Sequence, residues 1–209
     1  HNHNGCRDRL QNDYPTYRDK EKNLSNVIDT RINDSSKKSY DELKQTHIED
    51  HQSLFDRVSL DLGEFQSSVP TDQLIDEYRN GSYSHYLETL AFQYGRYLTI
   101  AGSRGTLPSN LVGLWTVGPS AWTGDYHFNV NVQMNYWPAC STNLSECMKP
   151  LIDFIRTLVK PGEKTAQAYF GARGWTASIS GNIFGFTTPL ESENMSWNFN
   201  PMAGPWLAT

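Results

Sequence analysis

Two kinds of segment alternate along this chain, and the alternation limits what it can fold into. Stretches with apolar residues at helical spacing are separated by long runs rich in glycine, proline, asparagine and tryptophan. KSYDELKQTHIEDHQSLFDRVSLDL is the first strong helical stretch, with Tyr40, Leu43, Ile48, Leu54 and Phe55 as an approximate stripe. Ser39 with Glu42 three residues on has the form of a capping box. SSVPTDQLIDEYRNG predicts a short helix capped by Thr71 and stopped at Gly81. SYSHYLETLAFQYGRYLTIAGSR carries apolar groups round most of its circumference, among them Tyr83, Leu87, Leu90, Tyr94 and Leu98, which predicts a buried helix. LSECMKPLIDFIRTLVKPGEKTAQAYFG predicts two helices broken near Pro161 and Gly162, the first capped from Asn143 to Glu146. No strand alternation is sustained, so the chain reads as all-α. FNVNVQM alternates like a strand, but its helical neighbours favour a helix there too.

Composition removes several classes of function. The 209 residues suffice for one domain or one and a half. Residues 1–38 are polar and read as a linker or N-terminal arm, with a short amphipathic turn through Leu24, Ile28 and Ile32. Residues 39–209 form the helical domain. A net charge of −5 offers no basic footprint, so nucleic acid is not an expected partner. No apolar run approaches the roughly 18 residues that would span a bilayer, and no membrane partner is expected. HNHNGCRDRL has no apolar core of a signal peptide. Cys6, Cys140 and Cys147 fit neither a disulfide framework nor a zinc motif and read as small buried thiols. His47 and His51 stand at i and i+4 with no third ligand evident, which reads as a solvated face. GSRGTLPSN lacks the Gly-Lys-Ser/Thr ending of a phosphate loop, and no G-x-S-x-G elbow occurs.

One stretch resists a purely structural reading. HFNVNVQMNYWPA sets Asn129, Asn131 and Asn135 among valines, a methionine and aromatics. Asparagine competes with its own backbone for hydrogen bonds and suits an ordinary core element poorly. Carbohydrate sites combine aromatic faces with amides and carboxylates, because amides donate and accept as hydroxyls require. The long loops and this segment hold that inventory: Trp115, Trp122, Tyr126, His127, Asn129, Asn131, Trp137, Trp175, Trp197 and Trp206. All six tryptophans follow residue 114. Asn135, Tyr136 and Trp137 are read as helix packing.

SYDELKQTHIEDHQSLFDRVSLDLG, YGRYLTIAGSRGTLPSNLVGLW, DYHFNVNVQMNYWPACSTNLSECMKPLIDFI, RGW, NIFGFTTPL and NPMAGPWLAT, in that order, resemble glycoside hydrolase family 95 over roughly residues 39–209. The resemblance implies part of an (α/α)6 barrel, about half of its helices, with the sugar in the loops at one end. It implies an inverting hydrolase releasing terminal α-L-fucose, or α-L-galactose, from fucosylated glycans, with no metal or organic cofactor. An asparagine pair positions the attacking water in that family, and it falls on Asn129 and Asn131. His127, Glu191 and Trp206 match substrate-binding positions, with Glu193 as a neighbour of the glutamate. An amide is no Brønsted base near neutral pH, but its carbonyl accepts a hydrogen bond and orients water. The proton must end on a carboxylate. The family's general-acid glutamate and water-activating aspartate lie downstream of PMAGPWLAT, so this polypeptide alone is expected not to hydrolyse fucosides. A partial barrel is expected to self-associate through its unpaired helical face. The substrate suggests a periplasmic or extracellular setting. The rival reading is a non-catalytic carbohydrate-binding or helical interaction module, against which the asparagine pair argues.

Overall fold

In the computed structural model the described residues are 23–63, 67–119, 121–190, 200 and 202–208. Among them the α-helices are α1 (Leu24–Ser36), α2 (Tyr40–Phe55), α3 (Thr71–Arg79), α4 (His85–Gly102), α5 (Asn131–Ser141), α6 (Lys149–Phe170) and α7 (Ala203–Leu207). Short 3-10 turns span Ala121–Gly124 and Ser145–Met148. Two-residue strands β1 (Tyr126–His127) and β2 (Ser180–Gly181) pair antiparallel, with Tyr126 opposite Gly181 and His127 opposite Ser180. The chain is all-α in class, as its periodicity predicts, and the segments around 103–125 and 171–190 are irregular.

Local chemistry sets the first helices. Asn23 accepts the Asn26 N–H and starts α1, a full helix where the sequence suggested a single turn. None of its residues is buried, and Leu24, Val27, Ile28 and Ile32 form an uncovered apolar stripe. The Ser39 box forms as read: the Glu42 N–H donates to Ser39 Oγ at 3.2 Å, and the Ser39 N–H donates to Glu42 Oε2 at 2.8 Å. Thr71 is not a cap. Pro70 holds the N-cap position with no side-chain bond, and Thr71 is the first helical residue. Gly81 follows the C-cap at φ +94°, a conformation that spares glycine the Cβ clash.

Helix α4 is half covered rather than buried. It packs on α2 and α3. Ile100 and Arg96 are enclosed, while Tyr94 and Tyr97 remain exposed beyond its neighbours. Arg96 is the joint of this region. Its guanidinium donates to the carbonyls of Leu54 (3.0 Å), Phe55 (2.7 Å), Val58 (3.1 Å) and Thr142 (3.3 Å), and lies over the Phe55 ring. Leu54 and Phe55 end α2, and Thr142 caps the end of α5. These are the carbonyls a helix terminus leaves unpaired, at the negative end of its dipole. Burial, and then nearby Arg57, lower the pKa of Arg96, but the arginine range is high enough that the charge persists. Outer ion pairs brace the joint. Arg57 reaches Glu146 at 2.6 Å, and Arg104 grips both oxygens of Asp50 at 2.5 and 2.7 Å.

The region 149–170 is one helix, not two. Pro161 removes a single rung, while Leu151, Phe154, Leu158 and Ala166 bury the helix on both sides of it. Gly162 serves close approach rather than breakage: a Cβ there would lie 2.7 Å from the Thr176 carbonyl. That approach lets the Thr176 N–H donate to the Gly162 carbonyl at 3.2 Å and pins the following loop to α6. Residues 143–146 do not cap α6 directly. A 3-10 turn intervenes, with Asn143 left-handed at φ +59°. The main core joins Phe128, Val132 and Tyr136 to Leu151, Phe154 and Leu158, with Ala203 and Leu207 of α7 closing it. Full burial of each large group contributes roughly 1.5–3 kcal/mol. Cys147 is buried as expected, Cys140 is exposed, and Cys6 lies outside the described residues. His47 is exposed and stacks loosely on His51, which packs on Phe55 and Tyr97.

Arg96→Ala leaves these carbonyls without their buried donor. It is expected to cost about 3 kcal/mol or more in urea unfolding, with Arg96→Lys recovering part of that loss. Asp50 has its pKa lowered first by the hydrogen bond from Arg104, so its contribution is complete well above 3.8 and fades as pH falls below that value. In Arg104→Gln the loss of stability over that acid range should be shallower, as read from urea midpoints against pH.

Candidate active site

The segment 126–135 begins as strand and ends as helix, which corrects the wholly helical expectation. Tyr126 and His127 pair with β2, residues 128–130 turn, and α5 begins at Asn131. Two buried side chains decide this. Tyr126 packs against Phe154 with ring centres 4.5 Å apart, and its hydroxyl donates to the Pro108 carbonyl at 3.2 Å. Burial pushes the Tyr126 phenol up to about 12, which keeps it a neutral donor. Phe128 is fully buried, and its N–H donates to the Ile179 carbonyl at 2.7 Å. Gly181 makes room for it, since a Cβ there would meet the Phe128 ring at 2.5 Å.

With Phe128 fixed inward, Asn129 is exposed and Asn131 is half-buried. Val130, which has no side-chain acceptor, holds the N-cap position of α5, so neither asparagine caps the helix. Among the described residues neither of these amides takes a hydrogen bond. Asn135 differs: its Nδ2 donates to the Asn110 carbonyl at 3.1 Å and ties α5 to the preceding loop. Tyr136 is buried, as the packing reading expects. Its hydroxyl accepts the Ser109 N–H at 2.8 Å and lies 2.6 Å from Ser103 Oγ, which donates to the Cys147 carbonyl. Trp137 departs from that reading, being 67% exposed.

His127 stands two residues before Asn129 with its side chain 12% exposed. Its Nδ1 is in short hydrogen-bond contact with Asp125 Oδ1, and the edge of Trp122 meets the imidazole ring with centres 6.2 Å apart. Trp122 is 65% exposed and has a positive φ of 57°, a left-handed conformation that is costly for a bulky residue. Gln133 supports the turn from below: its Nε2 donates to the Phe128 carbonyl at 2.8 Å. Asp125 and Gln133 were missed from the sequence. Asp125 becomes a candidate only once the strand at Tyr126–His127 is known, because side chains two residues apart on such backbone share a face.

Trp206 lies elsewhere. It lines an apolar concavity of about 600 Å³ between α5, α6 and α7, together with Gln133, Trp137, Leu151 and Ile152. His127, Asn129 and Asn131 do not line it. Glu191, its neighbour Glu193 and Trp197 lie outside the described residues. Among the described residues no group of three or more His, Cys, Asp or Glu is placed to hold a metal. No described helix is long and apolar enough to cross a membrane.

Asn129, Asn131 and the carboxylate-bound His127 thus lie within five residues of one another at the junction of β1 and α5. The model of the glycosyl hydrolase family 95 catalytic domain matches residues 39–209, and the chain belongs to that family. It is 40% identical over 188 residues to alpha-L-fucosidase 2 of Arabidopsis thaliana, covering 86% of this chain and 22% of that protein. It is 39% identical over 188 residues to probable alpha-fucosidase A of Aspergillus niger, covering 87% and 23%. A protein of the same description from Aspergillus oryzae is 40% identical over 159 residues, covering 73% and 22%. The chain thus spans less than a quarter of the length of these relatives.

Gln133→Ala removes the donor that holds the Phe128 carbonyl. It is expected to lower stability by about 1–2 kcal/mol in urea unfolding. Amide exchange at residues 128–131 should accelerate more than exchange in α6.

Proposed function

We propose that this polypeptide forms part of the catalytic barrel of an inverting hydrolase that releases terminal α-L-fucose from glycans. Its contribution is the water-positioning half of the site. The observation that carries the reading is the pair Asn129 and Asn131, unpaired at the start of α5 and backed by the fully buried Phe128. Two amide carbonyls two residues apart accept hydrogen bonds from one water and restrict its lone pair to one direction. Such orientation lowers the barrier without needing the amide to ionise. The proton passes to a carboxylate, and the departing oxygen takes one from a carboxylic acid. His127 contributes a hydrogen bond to a sugar hydroxyl. Glu191 and Trp206 complete sugar recognition in this proposal, Trp206 from the separate concavity that Gln133 also lines.

The relatives named above are described as fucosidases, which favours L-fucose as the sugar. A periplasmic or extracellular location accords with a glycan substrate. The exposed Trp137 and Ile152 beside Trp206 give the chain an apolar face through which copies associate when it is produced alone.

Calorimetric titration with L-fucose is expected to give a saturable signal with this chain, and no signal with the Asn129→Ala, Asn131→Ala variant. Equal binding by both would remove the pair from the site. The chain alone is expected to show no turnover of a fucosylated oligosaccharide. In a complete enzyme containing this segment, Asn131→Ala is expected to lower kcat by roughly 10²-fold with a smaller change in KM.

A further inference from the structure

We infer that Asp125 is a positioning residue for the sugar site: it holds His127 as the Nδ1–H tautomer and leaves Nε2 as the acceptor for a substrate hydroxyl. The inference rests on the function proposed above and adds a residue and a protonation pattern to it.

The two side chains occupy the same face of a short extended segment, as their spacing requires. Asp125 Oδ1 contacts His127 Nδ1, and both side chains are largely enclosed, at 19% and 12% exposure. An ionised carboxylate only accepts hydrogen bonds. The ring nitrogen facing it must therefore carry the hydrogen, and in a neutral ring Nε2 then has a free lone pair. The ring has little freedom to turn away. Trp122 meets it edge-on, and the backbone on either side is fixed, with the Asp125 carbonyl accepting the Leu111 N–H at 3.0 Å and His127 paired with Ser180. Trp122 makes this contact from a backbone at positive φ, 57°.

The consequence concerns recognition. An acceptor at Nε2 binds a hydroxyl that donates, and leaves that hydroxyl's oxygen free to accept from a neighbouring amide. The Nε2–H tautomer would present the opposite polarity to the same hydroxyl.

Long-range ¹H–¹⁵N correlation of the histidine rings reads the tautomer directly in this chain. The expected result is an Nδ1–H ring for His127 and a change toward Nε2–H, the form that free imidazole prefers, in Asp125→Ala. The same variant should bind L-fucose about tenfold more weakly with an unchanged thermal midpoint, and Asp125→Glu should recover part of that affinity. An Nε2–H ring in the parent chain overturns the inference. So does an unchanged fucose affinity in Asp125→Ala when the Asn129→Ala, Asn131→Ala variant has lost binding, and the proposed function then stands. Fucose affinity unchanged in all of these variants overturns both.

Discussion

A buried cation without a buried carboxylate holds the first half of this structure together. Arg96 is 2% exposed, and its donors are met mainly by main-chain carbonyls at the ends of two helices, with Val58 and the Gln93 amide oxygen as further acceptors. This is an economical solution to two costs at once. The guanidinium loses its water, and helix termini leave carbonyls unpaired; each supplies what the other lacks. The geometry also fixes register. Arg96 on α4 can meet Leu54, Phe55 and Thr142 together only if α2, α4 and α5 keep one relative placement. Helix α5 carries Thr142 at one end and Asn131 at the other, about 16 Å apart at the helical rise. The position of the candidate site is therefore set in part by an arginine that never approaches it.

The other end of α5 is fixed by a different means. Phe128 enters the core beneath Gly181, Tyr136 gathers Ser103, Ser109 and, through Ser103, the Cys147 carbonyl, and Asn135 takes the Asn110 carbonyl. These bonds run from one element to the loops before and after it. In the loop before α5, side chains of α5 and β1 meet backbone groups of Pro108, Ser109 and Asn110, while the loop after α6 is tied by main-chain bonds to Gly162 and Phe128.

What could be read from the sequence divides along the same line. The Ser39 and Glu42 box was legible because every atom in it lies within four residues. The helical class was legible because apolar spacing is a local signal. Pro161 and Gly162 were misread because the glycine answers to Thr176, a neighbour in space only. Helix α4 was read as buried because its tyrosines count as apolar in any pattern, yet Tyr94 and Tyr97 stay outside, while the charged Arg96 is the residue enclosed. The stretch FNVNVQM alternates in sequence, yet the strand has ended at His127 and α5 begins at Asn131, so Phe128 and Val132 are buried while Val130 stays exposed. The asparagine pair stood out by its chemistry, whereas the tie between Asp125 and His127 required the strand to be known first.

The placement of those amides carries one further step. Asparagine is among the best N-cap residues, worth about 1 kcal/mol over an apolar one. Here asparagines occupy the positions on either side of the N-cap, and valine occupies the cap itself. A shift of one residue would have satisfied an N–H of α5 with the amide oxygen of Asn129 or Asn131. Selection for stability alone would be expected to make that shift. Leaving the helix start uncapped, with two acceptors beside it and the positive end of the dipole beneath them, keeps both carbonyls and the local field available to an outside molecule. The forgone cap is the kind of local loss that functional sites accept elsewhere, and it agrees with the water-positioning role proposed for the pair.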